Sequence, residues 1–474
     1  MRNDNPRVSR TSLNHWSNQG SCPQSRVARQ VLRTFVPLAL CLGATAGGIG
    51  TAHAGSATHT NPVRALAAAA HDLGSTDPAA PDGDLRAFDR MVGDAKILGV
   101  GEATHGSAEF QNIKHRLLRH LVERRGFTTF AFEMHWSAGL RLDAWVRGGA
   151  GNLDAIMSDE LQNGGALWNT HEMAAQFRWM REWNQRHPDR RPLRVVGNDV
   201  NYAGTVQFDA VTDYVARHYP ALLPEFRRLY QESRPTAGVS DTMMQRRTLP
   251  LDTRRRMRDD VRRAYDLLER QRPGGNAKEY QLVLQHARSI AQVGTSQGFD
   301  FMGSEGAKAQ LHRDESMAAN TVWWQRHTGE RVLLSAHNTH VGTEPDNTDL
   351  YPKVQGQFLR DALGSRYVAV GFTFGQGRFN AVDAEDPTSP FRPREVGPTA
   401  AGGNEETLEK VSTRDYYLDT RTAPRTARDW LGTRRPTRSI GASWPDPHII
   451  NNIRLAQTYD VVVHLHRVTE THMR

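Results

Sequence analysis

Two apolar runs joined by one amphipathic helix constrain the fold of this chain more than any other feature. Ile97, Leu98, Gly99 and Val100 form a short buried-strand pattern, and from about Ser107 the apolar positions Phe110, Ile113, Leu117, Leu118, Leu121 and Val122 recur at helical spacing. Gly126 then ends the helix, and Phe127 to Phe132 reads as a second strand. A strand, helix and strand in that order imply parallel neighbours joined by a right-handed crossover. Similar runs at 193–196, 331–334, 367–372 and 459–463 extend the pattern, so the expected fold is α/β, with a mostly parallel central sheet flanked by helices.

Three segments depart from that rhythm. Residues 205–325 carry long helical patterns with Arg and Glu faces and no good strand, and are expected to form a helical subdomain inserted into the sheet order. Residues 382–425, with Pro387, Pro390, Pro393, Pro398 and Gly402-Gly403, are expected to make a long surface loop. At the N-terminus, Arg26, Arg29 and Arg33 precede an apolar stretch from Phe35 to Gly50 and then Ala52-His53-Ala54. Residues 1–54 therefore read as a signal peptide, with a basic region, a short apolar region and a small-x-small cleavage site. The apolar stretch is shorter than the roughly 20 residues of a membrane helix. A secreted or periplasmic protein with no stable membrane anchor after processing is expected, with a leader helix and linker over 55–83 and a catalytic domain over 84–468.

Charge and cysteine content narrow the function classes. The leader carries six arginines and one aspartate, so removing it takes the formal charge from +8 to +3. Arg254-Arg255-Arg256 is offset by Asp259-Asp260, and no nucleic-acid partner is expected. Both cysteines, Cys22 and Cys41, lie in the leader. The mature chain then has no disulfide framework, thiolate metal site or cysteine nucleophile.

In an open parallel sheet, ligands bind beyond the carboxyl ends of the strands. The first strand ends in Glu102 with His105 in the following turn, the second in Glu133, the third in Asn198-Asp199, and the fourth in His337-Asn338-Thr339-His340. Four segments thus deliver ionisable groups to one edge. Glu102, Glu133, His105, His337 and His340 are the catalytic candidates, with Asp199, Asn338 and Glu109 as substrate-binding or supporting groups. Glu109 sits on the first turn of its helix, where a carboxylate also complements the helix dipole.

Other motifs fail on context. Gly294-Thr-Ser-Gln-Gly298 matches the serine-hydrolase nucleophile pattern, which needs a strand before the serine; Tyr280, Val283, Leu284, Ala287, Ile290 and Ala291 show helical periodicity instead. His171-Glu172 lacks the second histidine of a zincin, because Ala175 stands there. His312-Arg313-Asp314 lacks every other kinase element.

The segments GEATHG (101–106) with Glu109, Phe132-Glu133, Trp168 with Glu172, Gly197-Asn198-Asp199, 312–320, Ala336-His-Asn-Thr-His-Val341 and 371–379 together resemble the erythromycin esterase family, over roughly 84–468. The resemblance implies hydrolysis of an ester or lactone by an activated water, without a covalent serine intermediate and with no cofactor. The histidine of the first motif acts as base in that family, which gives the role to His105. Glu102 then holds its tautomer, His337 or His340 serves the oxyanion, and Glu133 positions water or balances charge. The implied substrate is a small-molecule ester or lactone, of which a macrolide is one case; the secretory leader departs from the family's cytosolic resistance enzymes. Two other readings use the same residues: a metal-dependent hydrolase, since all five are suitable ligands for Zn, Mn or Co, and a secreted binding protein that has lost catalysis.

Overall fold

The computed structural model describes residues 61–474 apart from 302, 387–388, 400 and 446–449, so the expected signal peptide and both cysteines lie outside the described residues. The described residues form twelve strands: β1 (Ala70–Asp72), β2 (Ile97–Val100), β3 (Phe127–His135), β4 (Arg194–Asp199), β5 (Arg331–Ser335), β6 (Tyr367–Asp383), β7 (Arg392–Val396), β8 (Tyr416–Asp419), β9 (Arg435–Arg438), β10 (Ser443–Trp444), β11 (Ile450–Ile453) and β12 (Val461–Val468).

The main sheet runs β1-β8-β12-β6-β2-β5-β3-β4, with β7 and β10 added beside β6. All pairs from β12 to β4 are parallel, whereas β1 with β8 and β8 with β12 are antiparallel. The sheet is therefore mixed and mostly parallel, as the apolar runs require. Every residue of β2 is buried, because helices cover both faces of the sheet. The helix Ala108–Arg125 lays Phe110, Ile113, Leu117, Leu118 and Leu121 against it. Gly126 then takes the left-handed conformation (φ 67°) and donates its N–H to the Leu121 carbonyl, which closes the helix and feeds β3.

The helical insertion is present between β4 and β5, from Thr205–His218 through Gly306–Thr328, with its own core of residues such as Tyr214, Phe226, Val261 and Ile290. Two expectations need correction. Residues 382–425 are not one surface loop: β7 forms a hairpin with β6, the helix Asn404–Leu408 buries Leu408, and the fully buried β8 joins the main sheet. Within the expected leader helix and linker over 55–83, the described residues 61–83 hold a strand as well, since β1 pairs with β8 at the sheet edge. No described helix is long and apolar enough to cross a membrane.

One close approach fixes the site edge. After β5 the chain turns through His337 into the short helix Asn338–Val341. The Asn338 side chain acts there like a strand neighbour: its Nδ2 donates to Phe372 O (2.6 Å) and its Oδ1 accepts from Phe372 N (3.0 Å), while its own N–H donates to Glu102 O (2.9 Å). A Cβ on Gly101 would lie 2.1 Å from Asn338 Oδ1. Gly101→Ala is therefore expected to destabilise the protein by about 1–3 kcal/mol through overpacking, and to lower activity by displacing this turn. Urea unfolding alongside an activity assay checks both.

Candidate active site

Glu102 and His105 follow β2 directly, at the carboxyl edge of the sheet. Glu102 Oε1 lies 2.6 Å from His105 Nδ1, and Lys114 Nζ donates to Glu102 Oε2 (2.5 Å) and to Ser335 Oγ (3.0 Å). Glu102 and Lys114 are almost completely buried. Burial alone would raise the Glu102 pKa; the Lys114 ammonium and the hydrogen bond from His105 outweigh it and hold the carboxyl below its ordinary value. Burial likewise pushes the Lys114 ammonium down, opposed by Glu102. An ionised Glu102 accepts the Nδ1–H of His105, which leaves Nε2 as the basic nitrogen. Among the described residues no protein group takes that Nε2, and His105 lines the cavity.

A second network meets the first across the strand ends. Glu133 in β3, Asp199 at the end of β4 and His340 converge on Arg313, which the helix Gly306–Thr328 brings back from the insertion. The guanidinium donates to Asp199 Oδ1 (3.0 Å) and Oδ2 (2.8 Å) and to Glu133 Oε1 (2.7 Å), and its NH1 lies 3.0 Å from His340 Nε2. The other Glu133 oxygen accepts the His337 N–H (2.8 Å). Burial works against the Glu133 charge, yet His340, Arg313 and His105 together hold its pKa far below the carboxylate range. His340 Nδ1 lies 2.7 Å from Asp314 Oδ1, which also accepts the Gln355 N–H (2.8 Å). Burial lowers the His340 pKa, but Asp314 and Glu133 reverse the shift and raise it.

His337 is held differently. Burial and the adjacent His105 push its pKa down to about 3, so it stays neutral. Its Nε2 lies 3.1 Å from Ile440 O, which can only accept, and its Nδ1 receives the Thr339 N–H (3.3 Å). Its one ring proton is thus spent on a backbone carbonyl, so it does not serve as an oxyanion donor in this arrangement.

His105, Glu133, Asp199, Arg313, His337 and His340 line one cavity of about 1100 Å³. The rings of Trp168 and His337 lie 4.9 and 5.2 Å from His105 and set its plane. Two expected residues stand elsewhere. Glu109 does not line the cavity; its carboxylate accepts from Thr469 N (2.6 Å) and Thr469 Oγ1 (2.7 Å), tying the helix start to the chain just after β12. Asn338 is spent on β6, as described above. Glu102 does not line the cavity either and stands behind His105.

Lys114, Arg313 and Asp314 were not expected at the site. Lys114 carried a usable signal, because it occupies the apolar face of its helix, one turn after Phe110, where a charge must be paired. Arg313 and Asp314 lie in the segment whose kinase-like pattern is meaningless, but Arg313 enters the cleft and Asp314 stands buried behind His340, while His312 points to Gln292 O (3.0 Å). Ser296 also lines the cavity, although it sits inside the helix Ala277–Gln297 and not on a strand-to-helix turn. Lys114 pairs with Glu102, and Arg313 pairs with both Glu133 and Asp199.

Comparison with known proteins agrees with this architecture. A family model described as erythromycin esterase matches residues 122–468. Glu133, Asp199, Arg313, His337 and His340 fall inside that match, and Glu102 and His105 precede it. Erythromycin esterase type II of Escherichia coli is 25% identical over 326 residues, covering 64% of this chain and 75% of that protein. A solved Bacillus cereus protein superposes with a TM-score of 0.79 at 26% identity, over 88% of this chain and 99% of that one. A histidine-to-asparagine mutant of the erythromycin esterase EreC, in its open conformation, gives a TM-score of 0.65 at 18% identity, over 84% and 97% of the two chains.

Removing one member of the buried pair exposes its cost. Glu102→Gln leaves Lys114 charged and unpaired and is expected to cost about 3–5 kcal/mol, most of which Glu102→Gln/Lys114→Met recovers. Because the folded pKa of Glu102 is lowered, its contribution is present above the ordinary carboxylate pKa and lost as pH falls through the folded value. Below about pH 4 the wild-type stability is therefore expected to fall more steeply than that of the double variant, as urea unfolding across pH reads directly.

Proposed function

The chain belongs to the erythromycin esterase family, and from that premise we propose that it cleaves a carboxylic ester or lactone with water activated by His105, with no covalent serine intermediate. The observation that carries this reading is the 2.6 Å pairing of His105 Nδ1 with an ionised Glu102, on a histidine that lines the cavity and keeps Nε2 free of protein partners. Water bound at Nε2 loses a proton to it as the oxygen attacks the substrate carbonyl. A positioned general base of this kind contributes about 10²- to 10⁴-fold.

The negative charge then developing on the carbonyl oxygen needs fixed donors in a site that excludes bulk water. Arg313 suits the role. Arginine stays charged throughout, and Asp199 and Glu133 hold its guanidinium in place; His340 donates Nδ1–H to Asp314 and accepts from the guanidinium at Nε2, so it orients Arg313. Glu133 balances the guanidinium charge. Asn338 and His337 shape the turn that carries His340.

A cavity of about 1100 Å³ accommodates a substrate larger than a simple aryl ester. The similar E. coli protein is named for erythromycin, so a macrolide lactone is one substrate to test. The basic leader, together with its apolar stretch and cleavage pattern, supports export from the cytoplasm for this hydrolase.

His105→Asn is expected to abolish turnover of an ester and lactone panel while leaving the thermal midpoint within a few degrees of wild type; near-normal activity in this variant overturns the proposal. Ser296→Ala is expected to keep at least half of the wild-type kcat. A loss of several orders of magnitude there, with a trapped acyl adduct, would replace the water mechanism with a serine one.

A further inference from the structure

The cavity wall built by the helical insertion carries three arginines with no ion-pair partner among the described residues. Arg246 and Arg247, on the helix Val239–Thr248, and Arg254, on the helix Leu251–Glu269, line it beside Phe299 and Phe301. Among the described residues no carboxylate oxygen comes within salt-bridge distance of these three guanidinium groups, whereas the neighbouring Arg255 pairs with Glu305 (3.2 Å) and Arg313 pairs with two acids. Asp300 lines the cavity as well, without such a contact to them.

The hydrogen bonds of Arg246 and Arg254, both half-buried, leave donors unused, while Arg247 is exposed at the cavity rim. Arg246 is half-buried; its NH2 donates to the Glu232 backbone oxygen (2.5 Å) and its NH1 only to the sulfur of Met257 (3.5 Å). Burial pushes its pKa down, with partial compensation from Glu232 and Tyr202. Arg254 directs NH1 to the backbone oxygens of Gln297 (2.6 Å) and Phe299 (3.0 Å), and its Nε is buried with no partner. A guanidinium offers five N–H donors. Withdrawing such a group from water without an opposing charge is costly, and the cost is relieved when an anion binds among the three.

We infer that the substrate is an ester or lactone whose non-reacting part bears an anionic oxygen group, foremost a carboxylate, next to an apolar chain or ring. The anion pairs with Arg246, Arg247 and Arg254, the apolar part lies against Phe299 and Phe301, and the ester carbonyl reaches His105. Guanidinium groups bind carboxylates through two parallel N–H donors, which makes this wall selective as well as attractive. Phe301, a large hydrophobic side chain left 50% exposed, gains cover from such a ligand. A cationic ligand meets three guanidinium groups that make no ion pair among the described residues. This inference rests on the ester-hydrolase reading for turnover, but its binding component does not.

Three acyl groups of equal carbon number separate the possibilities: the 4-nitrophenyl esters of octanoic acid (neutral), suberic acid monoester (anionic) and 8-aminooctanoic acid (cationic). The wild-type protein is expected to show kcat/KM at least tenfold higher for the anionic than for the neutral ester, and lowest for the cationic one. In Arg246→Gln/Arg247→Gln the anionic-to-neutral ratio is expected to drop below threefold; as a ratio, it is insensitive to a general loss of active protein. Equilibrium binding of the corresponding unreactive 4-nitroanilides to His105→Asn reads the same preference without turnover, and the preference is expected to shrink as salt screens the charges. Absence of hydrolysis of all three esters with preferential binding of the anionic anilide contradicts the ester-hydrolase reading alone. An anionic anilide that binds no better than the neutral one, including no binding by either, overturns the anionic-substrate inference.

Discussion

The site depends on one buried carboxylate shared between an imidazole and an ammonium group. Glu102 sits at the end of β2 with almost no exposure, a position where a lone charge is unstable. Lys114, projecting from the helix that follows, makes the charge tenable, and the ionised carboxylate in turn dictates which nitrogen of His105 carries the proton. Stability and chemistry are therefore coupled through the same oxygen atoms: the ion pair that keeps Glu102 ionised also directs the basic nitrogen of His105 away from it. The parallel strands supply the geometry, since β2, β3, β4 and β5 all end on the edge where these groups meet.

Arg313 joins the sheet to the insertion. It reaches Glu133 from β3, Asp199 from β4 and His340 from the turn after β5, so a single guanidinium assembles groups from three strand ends. Around it the cavity has a charge gradient. Near the sheet, acids and bases are matched in hydrogen-bonded pairs; towards the insertion, Arg246, Arg247 and Arg254 make no ion pair among the described residues. Such a division suits a substrate with a reacting carbonyl at one end and a recognised charge at the other.

The strand ends were legible in the sequence because buried parallel strands read as continuous apolar runs, and the first polar residue beyond each run falls at the ligand edge. Glu102, Glu133, Asp199 and His340 were found in this way. The two strands at the antiparallel edge were not: β1 is only three residues long, and β8 (Tyr416–Asp419) follows a proline- and glycine-rich stretch that masks it. Arg313 and Asp314 escaped for a different reason. They lie within a long helix whose hydrophobic pattern describes its packing, and their partners stand more than a hundred residues away along the chain for Glu133 and Asp199. His337 shows the reverse case: its spacing from His340 suggested a shared role, whereas its ring proton goes to Ile440 O.

The protonation state of His105 tests the account most directly. Nitrogen-15 NMR of the histidine-labelled protein, with the resonance assigned by difference against His105→Asn, reports which ring nitrogen carries the proton at neutral pH. The account predicts the tautomer protonated at Nδ1, with Nε2 bare, and a shift of that equilibrium when Glu102 is replaced by glutamine. A proton resident on Nε2 in the wild-type protein would contradict it.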